Sequence, residues 1–337
     1  LSKTEVGIGI IGLGFVGEKA HLSALRKIQG SRLAAIADVD QNRLQKVADK
    51  VKIKYAYSSH QDLINDPNVD AVVISVPTFL HKKIAIDCFK AGKHVLCEMP
   101  LAPNMKDAQE IVDQAKKADV ILMPSLNFRF TPNYVKTKEL IEEGSIGKPV
   151  ALFYREFIPA EDLAKQWPSN SWAWNKEKSG GGPAFTLSVW AIDLLRWLLN
   201  AEVKKIYAIS KDTILKELDG TNGYISLAGL EFSNNTIVTL QFSGLVRHAM
   251  SMVHLEVLGD NTNSILSEEN DKLTLFGANP QKQTWIFRES GAKVWGHYQE
   301  DEHFIQSILQ NKQPDITAED ALRAQEIATR IIETGNK

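Results

Sequence analysis

Cysteine is nearly absent: Cys88 and Cys97 are the only two in 337 residues. One falls in a helical pattern and the other in a strand pattern, so there is no disulfide framework, and a reducing, cytoplasmic setting is expected. No apolar run approaches the length of a membrane span. Neither sign of charge is in excess. With 39 Lys and Arg against 41 Asp and Glu the net charge is −2, which gives no electrostatic basis for nucleic acid or an anionic membrane as partner. The eight histidines are scattered, without His-x-x-x-His or Cys-x-x-Cys spacing, so no metal site is expected. The opening residues, Leu1-Ser2-Lys3-Thr4-Glu5, lack a basic stretch leading into an apolar one, and no signal peptide is expected there. Internal repeats and low-complexity tracts are also missing.

What is present is an alternation. Apolar runs Val6–Ile11, Leu33–Ala37, Ala71–Val76, His94–Cys97 and Val120–Met123 read as buried strands. Amphipathic segments lie between them, near His21–Ile28, Arg43–Lys50, Lys82–Ala91 and Asp107–Ala118, the last with Asn104 placed as its N-cap. Parallel strands need crossover helices, so this third of the chain predicts a doubly wound parallel sheet.

Past residue 130 the rhythm changes. A helix at Tyr134–Glu143 precedes strand-like runs at Val150–Ile158, Val203–Ile209, Tyr224–Phe232, Thr236–Ser243, Ser251–Gly259, Leu273–Phe276 and Thr284–Phe287. Turn signals Asp219-Gly220, Asn234-Asn235 and Gly277-Ala278-Asn279-Pro280 separate several of them. This predicts a largely antiparallel sheet, with helical periodicity returning at Glu300–Leu309 and Glu319–Glu333. The division expected is 1–126 and 127–337.

Gly12-x-Gly14-x-x-Gly17 follows the first strand and opens the first helix. Gly12 allows the tight turn, Gly14 lets backbone approach a pyrophosphate, and Gly17 lets helix pack on strand. Asp38 ends the second strand, where a carboxylate can accept hydrogen bonds from an adenosine ribose. Its charge repels a 2′-phosphate, and Arg43 one turn further on compensates only in part, so NAD is favoured over NADP.

With these go Val76-Pro77-Thr78-x-x-His81, Ala91-Gly92-Lys93-His94-Val95, Glu98-x-Pro100, Asn127-x-Arg129-Phe130-x-Pro132, Gly144-x-Ile146-Gly147, and Gly180-Gly181-Gly182 followed by Asp193. Together these resemble the Gfo/Idh/MocA family of glucose–fructose oxidoreductase and inositol dehydrogenase relatives, over nearly the whole chain. The resemblance implies an α/β protein: an N-terminal Rossmann domain, then a C-terminal α+β domain whose open, mostly antiparallel sheet forms the interface of a homo-oligomer (dimer or tetramer). It implies NAD(P)-dependent oxidation or reduction at a carbinol carbon of a small-molecule substrate. It also implies cofactor contacts at Gly12, Gly14, Phe15, Val16, Gly17, Asp38, Pro77, Thr78, His81, Glu98, Met99 and Asn127.

The departures fall where the resemblance places the reaction. The family's Glu-Lys-Pro lysine is Met99 here, and its Asp and His after the glycines are Thr186 and Trp190. Ala173 stands where many relatives have arginine. None of these is a general acid–base group near neutral pH. His81, Arg129 and Tyr154 are candidate substitutes, with Arg155 and Glu156 beside the last; for each the alternative is a packing role. Trp167, Trp172 and Trp174 are read as core, and Trp190 as lining the cleft. Three readings stay open: an oxidoreductase with a rebuilt site acting on a substrate less polar than a sugar, a catalytically inactive NAD-binding regulator or scaffold, and an NAD-using glycosidase of related fold.

Overall fold

The computed structural model describes residues 4–216, 221–247, 253–269, 271–277, 282–293 and 295–335. The turn signals Asp219-Gly220 and Ala278-Asn279-Pro280 lie outside these. The chain divides into two compact units: Leu1–Asn127 with Ser290–Arg323, and Phe128–Glu289 with Ala324–Lys337. The second domain expected from residue 127 onward is therefore interrupted. Residues 290–323 return to the first unit, because the helix His297–Leu309 packs on β1 (Val6–Ile11) and on the segment Gly17–Leu25 rather than continuing the second sheet.

The first unit is built on six parallel strands: β1, β2 (Ser31–Ala37), β3 (Ala56–Tyr57), β4 (Ala71–Ile74), β5 (His94–Cys97) and β6 (Leu122–Pro124). Their order is β3-β2-β1-β4-β5-β6. Strands β1 and β4 are buried along their whole length, which is why they read as continuous apolar runs rather than alternating ones. The order reverses between β1 and β4, and ligands of such sheets bind outside the strand C-termini at that point. Asn104 caps the helix Met105–Ala118 by accepting from Asp107 N at 2.9 Å. β3 and the helix His60–Ile64 escape the sequence reading, being two and five residues long.

The second unit carries eight strands: β7 (Pro149–Pro159), β8 (Val203–Leu215), β9 (Thr221–Phe232), β10 (Ile237–Val246), β11 (Val253–Gly259), β12 (Ser264–Glu268), β13 (Lys272–Phe276) and β14 (Lys282–Ile286), in the order β14-β13-β12-β11-β7-β10-β9-β8. All neighbours are antiparallel except β7 and β10. One face is covered: Leu152, Tyr154, Leu240, Phe242, Leu255 and Val257 are buried. On the alternate positions Phe153, Tyr207, Ile209, Leu227 and Ile237 are exposed. The helix Pro183–Leu199 packs on β9 and β10. It was invisible to periodicity because it is buried nearly all round and has no polar stripe.

Candidate active site

The nucleotide turn has the geometry its glycines require. Gly12 has φ +92°, and a Cβ there would sit 2.3 Å from Ser75 O. A Cβ on Gly17 would sit 2.1 Å from Gly12 O, whereas one on Gly14 would meet nothing within 4 Å. The turn is thus closed on its inner side and open at Gly14, where a pyrophosphate could approach main-chain N–H groups. Phe15 is exposed, and its ring lies 6.0 Å from that of Trp295. Val16 is part-buried and precedes a π-helical turn, Gly17–Leu22.

Asp38 stands at the end of β2, but its carboxylate already has protein partners. It accepts from Leu13 N at 2.8 Å and from Asp40 N at 2.9 Å, and Arg43 reaches it at 3.0 Å. Asp38 therefore ties the glycine turn to β2. Arg43 also pairs with Asp40, so the cation is shared between two carboxylates.

Three candidates turn out to be engaged within the fold. His81 is buried, with Nδ1 2.9 Å from Pro100 O and Nε2 2.8 Å from Val76 O. Burial lowers its proton affinity although both carbonyls favour the cation. Both ring nitrogens face backbone, so His81 holds the loop after β4 (with Pro77 and Thr78) against the loop after β5, and neither nitrogen is left for a substrate. Arg129 forms a two-pronged pair with Asp193, at 2.8 and 2.5 Å. Asn127 donates to Trp295 O at 2.6 Å.

Behind Glu98 and Met99 lies a network that no motif announced. The π-helical turn directs His21 inward, fully buried, between Asp301 Oδ1 and Glu98 Oε1, each at 2.8 Å. Burial opposes a charged imidazole, but the two carboxylates outweigh it and raise His21 well above its usual value. Glu98 is in turn held below the ordinary carboxylate range by His21 despite its burial. Ser125 Oγ lies 2.9 Å from both Glu98 Oε1 and Glu300 Oε2. Burial and the Glu98 charge keep Glu300 protonated well above the usual range. A protonated Glu300 can donate to Ser125, which donates to Glu98. Met99, beside this network, is buried.

His21, Glu98 and His297 also bring one ligand atom each within 4.8 Å of one another. Two imidazoles and a carboxylate are a set that can hold a divalent cation. Spacing along the chain gave no hint of it. His21 Nε2, however, is hydrogen-bonded to Glu98, and burial with the neighbouring His21 charge lowers His297 to about 4.

In the second unit, Thr186 is part-buried on the helix Pro183–Leu199 and donates to Gly182 O at 3.3 Å. Trp190, one turn on, has its ring 6.5 Å from Phe128, and Phe128 lies 5.9 Å from Tyr134. Tyr134 is hydrogen-bonded to Tyr154, and Tyr154 donates to Glu156 Oε2 at 2.9 Å. Trp174 Nε1 donates to Trp167 O at 2.9 Å, a core-like contact. Ala173 is buried.

Comparison with known proteins places this geometry. Residues 6–126 match the model of the oxidoreductase family with an NAD-binding Rossmann fold, and 134–263 match the GFO/IDH/MocA C-terminal domain. A myo-inositol 2-dehydrogenase of Thermotoga maritima is 30% identical over 336 residues, covering 94% of this chain and 92% of that protein. The chain belongs to the Gfo/Idh/MocA oxidoreductase family. Its amino-terminal domain is an NAD-binding Rossmann fold. Among solved structures, a probable dehydrogenase from Thermotoga maritima superposes with TM-score 0.81 at 27% identity, covering 98% of this chain and 97% of that one. A levoglucosan dehydrogenase in complex with NADH and L-sorbose gives 0.83 at 22% identity over 98% and 97% of the two chains, a likeness of fold. No helix among the described residues is long and apolar enough to cross a membrane.

Proposed function

We propose that this protein is an NAD-dependent oxidoreductase that moves a hydride to or from a carbinol carbon of a small substrate, with its proton chemistry rebuilt. What supports the reading is a contrast: the glycine turn closes on its inner side and opens at Gly14, while Met99, Thr186 and Trp190 stand where the family resemblance expects the proton-handling side chains. Gly12, Gly14, Gly17 and Asp38 hold the adenosine and pyrophosphate end, and Glu98 and Met99 lie toward the reacting end. When bound, the nicotinamide supplies or accepts the hydride. A thioether and an indole favour a substrate less polar than a simple sugar. The named relatives act on myo-inositol and levoglucosan; this chain turns over myo-inositol or glucose slowly or not at all.

Calorimetry on protein stripped of nucleotide tests the first half, with NADH binding tighter than NADPH. Absorbance of NADH formed from NAD⁺ with myo-inositol, levoglucosan and a series of less polar cyclic secondary alcohols tests the second. Tight NADH binding without turnover of any alcohol would favour the other reading, an inactive NAD-binding regulator or scaffold, which the same three side chains also support. The exposed apolar row Phe153, Tyr207, Ile209 and Leu227 supports self-association through the open sheet face as a dimer or tetramer. Light scattering showing only monomer at micromolar concentration would refute that.

A further inference from the structure

Just past the glycine turn, His21 meets Glu98 and His297 in a cluster that the proposed hydride transfer does not use. All three belong to the first compact unit, as does Asp301. The π-helical turn Gly17–Leu22 sends His21 inward. Asp301 Oδ1 holds its Nδ1 at 2.8 Å, which leaves Nε2 facing Glu98 Oε1, also at 2.8 Å. The helix His297–Leu309 brings its first residue to the same oxygen. His297 Nε2 lies 3.9 Å from Glu98 Oε1, and its ring meets that of His21 edge-on, with centroids 5.4 Å apart. One ligand atom from each of the three lies within 4.8 Å of the others. Ligands about 2.1 Å from a tetrahedral zinc ion stand about 3.4 Å apart, so the short pair need open and the long pair close by only about 0.5 Å.

Two observations separate this cluster from a plain ion pair. The first is its outer partners. Ligating imidazoles donate their second N–H to a carboxylate or carbonyl, and ligating carboxylates are themselves hydrogen-bonded. Asp301 does the first for His21. Ser125 Oγ, 2.9 Å from Glu98 Oε1, and Met99 N, 3.3 Å from Oε2, do the second. The second observation is what the hydrogen bonds leave over. His297 Nδ1, Glu300 Oε1 and Asp301 Oδ2 are buried and have no partner among the described residues. Such groups are costly, and three carboxyls gathered around one hydrogen-bonded imidazole lack positive charge, which a divalent ion supplies. The cluster is also open along one edge. The side chains of His21 and Asp301 are closed to solvent, whereas those of Glu98 and His297 are 11% and 10% exposed, enough for a small ion to enter between them.

We propose that His21, Glu98 and His297 bind a divalent transition-metal ion, with Zn²⁺ the best match to two imidazoles and a carboxylate, and with a fourth position left for water. Binding releases to solvent the proton between His21 Nε2 and Glu98 Oε1. Without the ion the cluster is the hydrogen-bonded network described above. Glu98 runs directly into Met99, so the ion sets positive charge beside the residue that stands where the family resemblance expects lysine.

The test needs neither nucleotide nor turnover, so its failure leaves the oxidoreductase reading untouched. The full chain, treated with chelator, is titrated with Zn²⁺ by calorimetry and with Co²⁺ by visible absorption, as wild type, His297→Ala, Asp301→Asn and His60→Gln. His60 pairs with Asp87 and serves as the control for binding elsewhere on the chain. The expected wild type takes up one Zn²⁺ per chain, gives the intense absorption of tetrahedral Co²⁺ and melts at a higher temperature with Zn²⁺ than without. His60→Gln keeps all three signals and His297→Ala loses them, while circular dichroism shows both folded. Asp301→Asn lowers Zn²⁺ affinity about 10–100-fold. X-ray absorption of the wild-type zinc complex should show two imidazole ligands, a reading that depends on no variant. No binding by wild type, the weak absorption of octahedral Co²⁺, fewer than two imidazoles at the zinc, or binding that His297→Ala retains would each overturn the proposal and leave His21 and Glu98 as an ion pair alone.

Discussion

Each unit buries carboxyls, and the partners those carboxyls meet differ. In the first, Glu98 and Asp301 flank His21, so negative charge is met by a buried cation at 2.8 Å on each side. In the second, Glu156 is met by a phenol alone. A charge partner compensates desolvation and keeps a carboxylate ionised; a neutral donor compensates only part of it. In the first, the His21 pairing holds the Glu98–Met99 segment, and Glu300 beside it keeps its proton. The second changes protonation at about 7, because burial raises it.

The sharpest way to break this contrast is to remove the cation. His21→Leu leaves two buried carboxylates facing each other, and loss of one partner of a buried pair costs about 3–5 kcal/mol. Urea unfolding should show this, and a change under about 1 kcal/mol would mean the network is not ionised as described. Next comes the pH dependence set by Glu156. Its native affinity for a proton is raised, from 4.5 to about 7, so it favours the native state at low pH and that contribution is lost as pH rises through this window. At about 1.4 kcal/mol per unit the loss is about 3.5 kcal/mol at most, less for its partial exposure. Stability of Glu156→Gln should fall less than that of wild type between pH 5 and 7; parallel curves would contradict it.

Gly17→Ala sharpens the contrast at the nucleotide end. A Cβ 2.1 Å from Gly12 O forces backbone movement, which costs about 1–3 kcal/mol. NADH affinity should fall with it, read by calorimetry, while the Glu156 titration should not move. The smallest effect belongs to the exposed pair Lys116–Glu319. Lys116→Ala should change stability by about 1 kcal/mol or less in the same urea assay, because solvent screens it. A larger loss there would mean that pairing, not burial, sets the cost.

The Rossmann half was legible because its signals are local. Val6–Ile11 and His94–Cys97 are strands over the residues expected, and Asn104 caps its helix. The motifs that carried the family resemblance were equally local. The network behind Glu98 was not, since His21 and Asp301 are 280 residues apart and no spacing rule links them. A faint signal existed: Glu300 and Asp301 share a helix segment with the buried Phe304 and Ile305. The helix Pro183–Leu199 was missed for want of a polar face. The burial of Glu156 is legible from alternation alone. Counting by twos from Leu152 through Tyr154 puts its carboxyl on the buried side of β7. His81 misled in the other direction, because no sequence feature shows that two backbone carbonyls take both ring nitrogens.

The central claim is that the nucleotide end serves redox chemistry although Met99, Thr186 and Trp190 are not general acid–base groups. The most direct measurement is NADH formation from NAD⁺ with myo-inositol and with the series of less polar cyclic secondary alcohols, beside NADH binding by calorimetry. The expected result is NADH above the no-enzyme control for at least one of the less polar alcohols, with little or none from myo-inositol. Tight NADH binding with no NADH formed from any alcohol would contradict it.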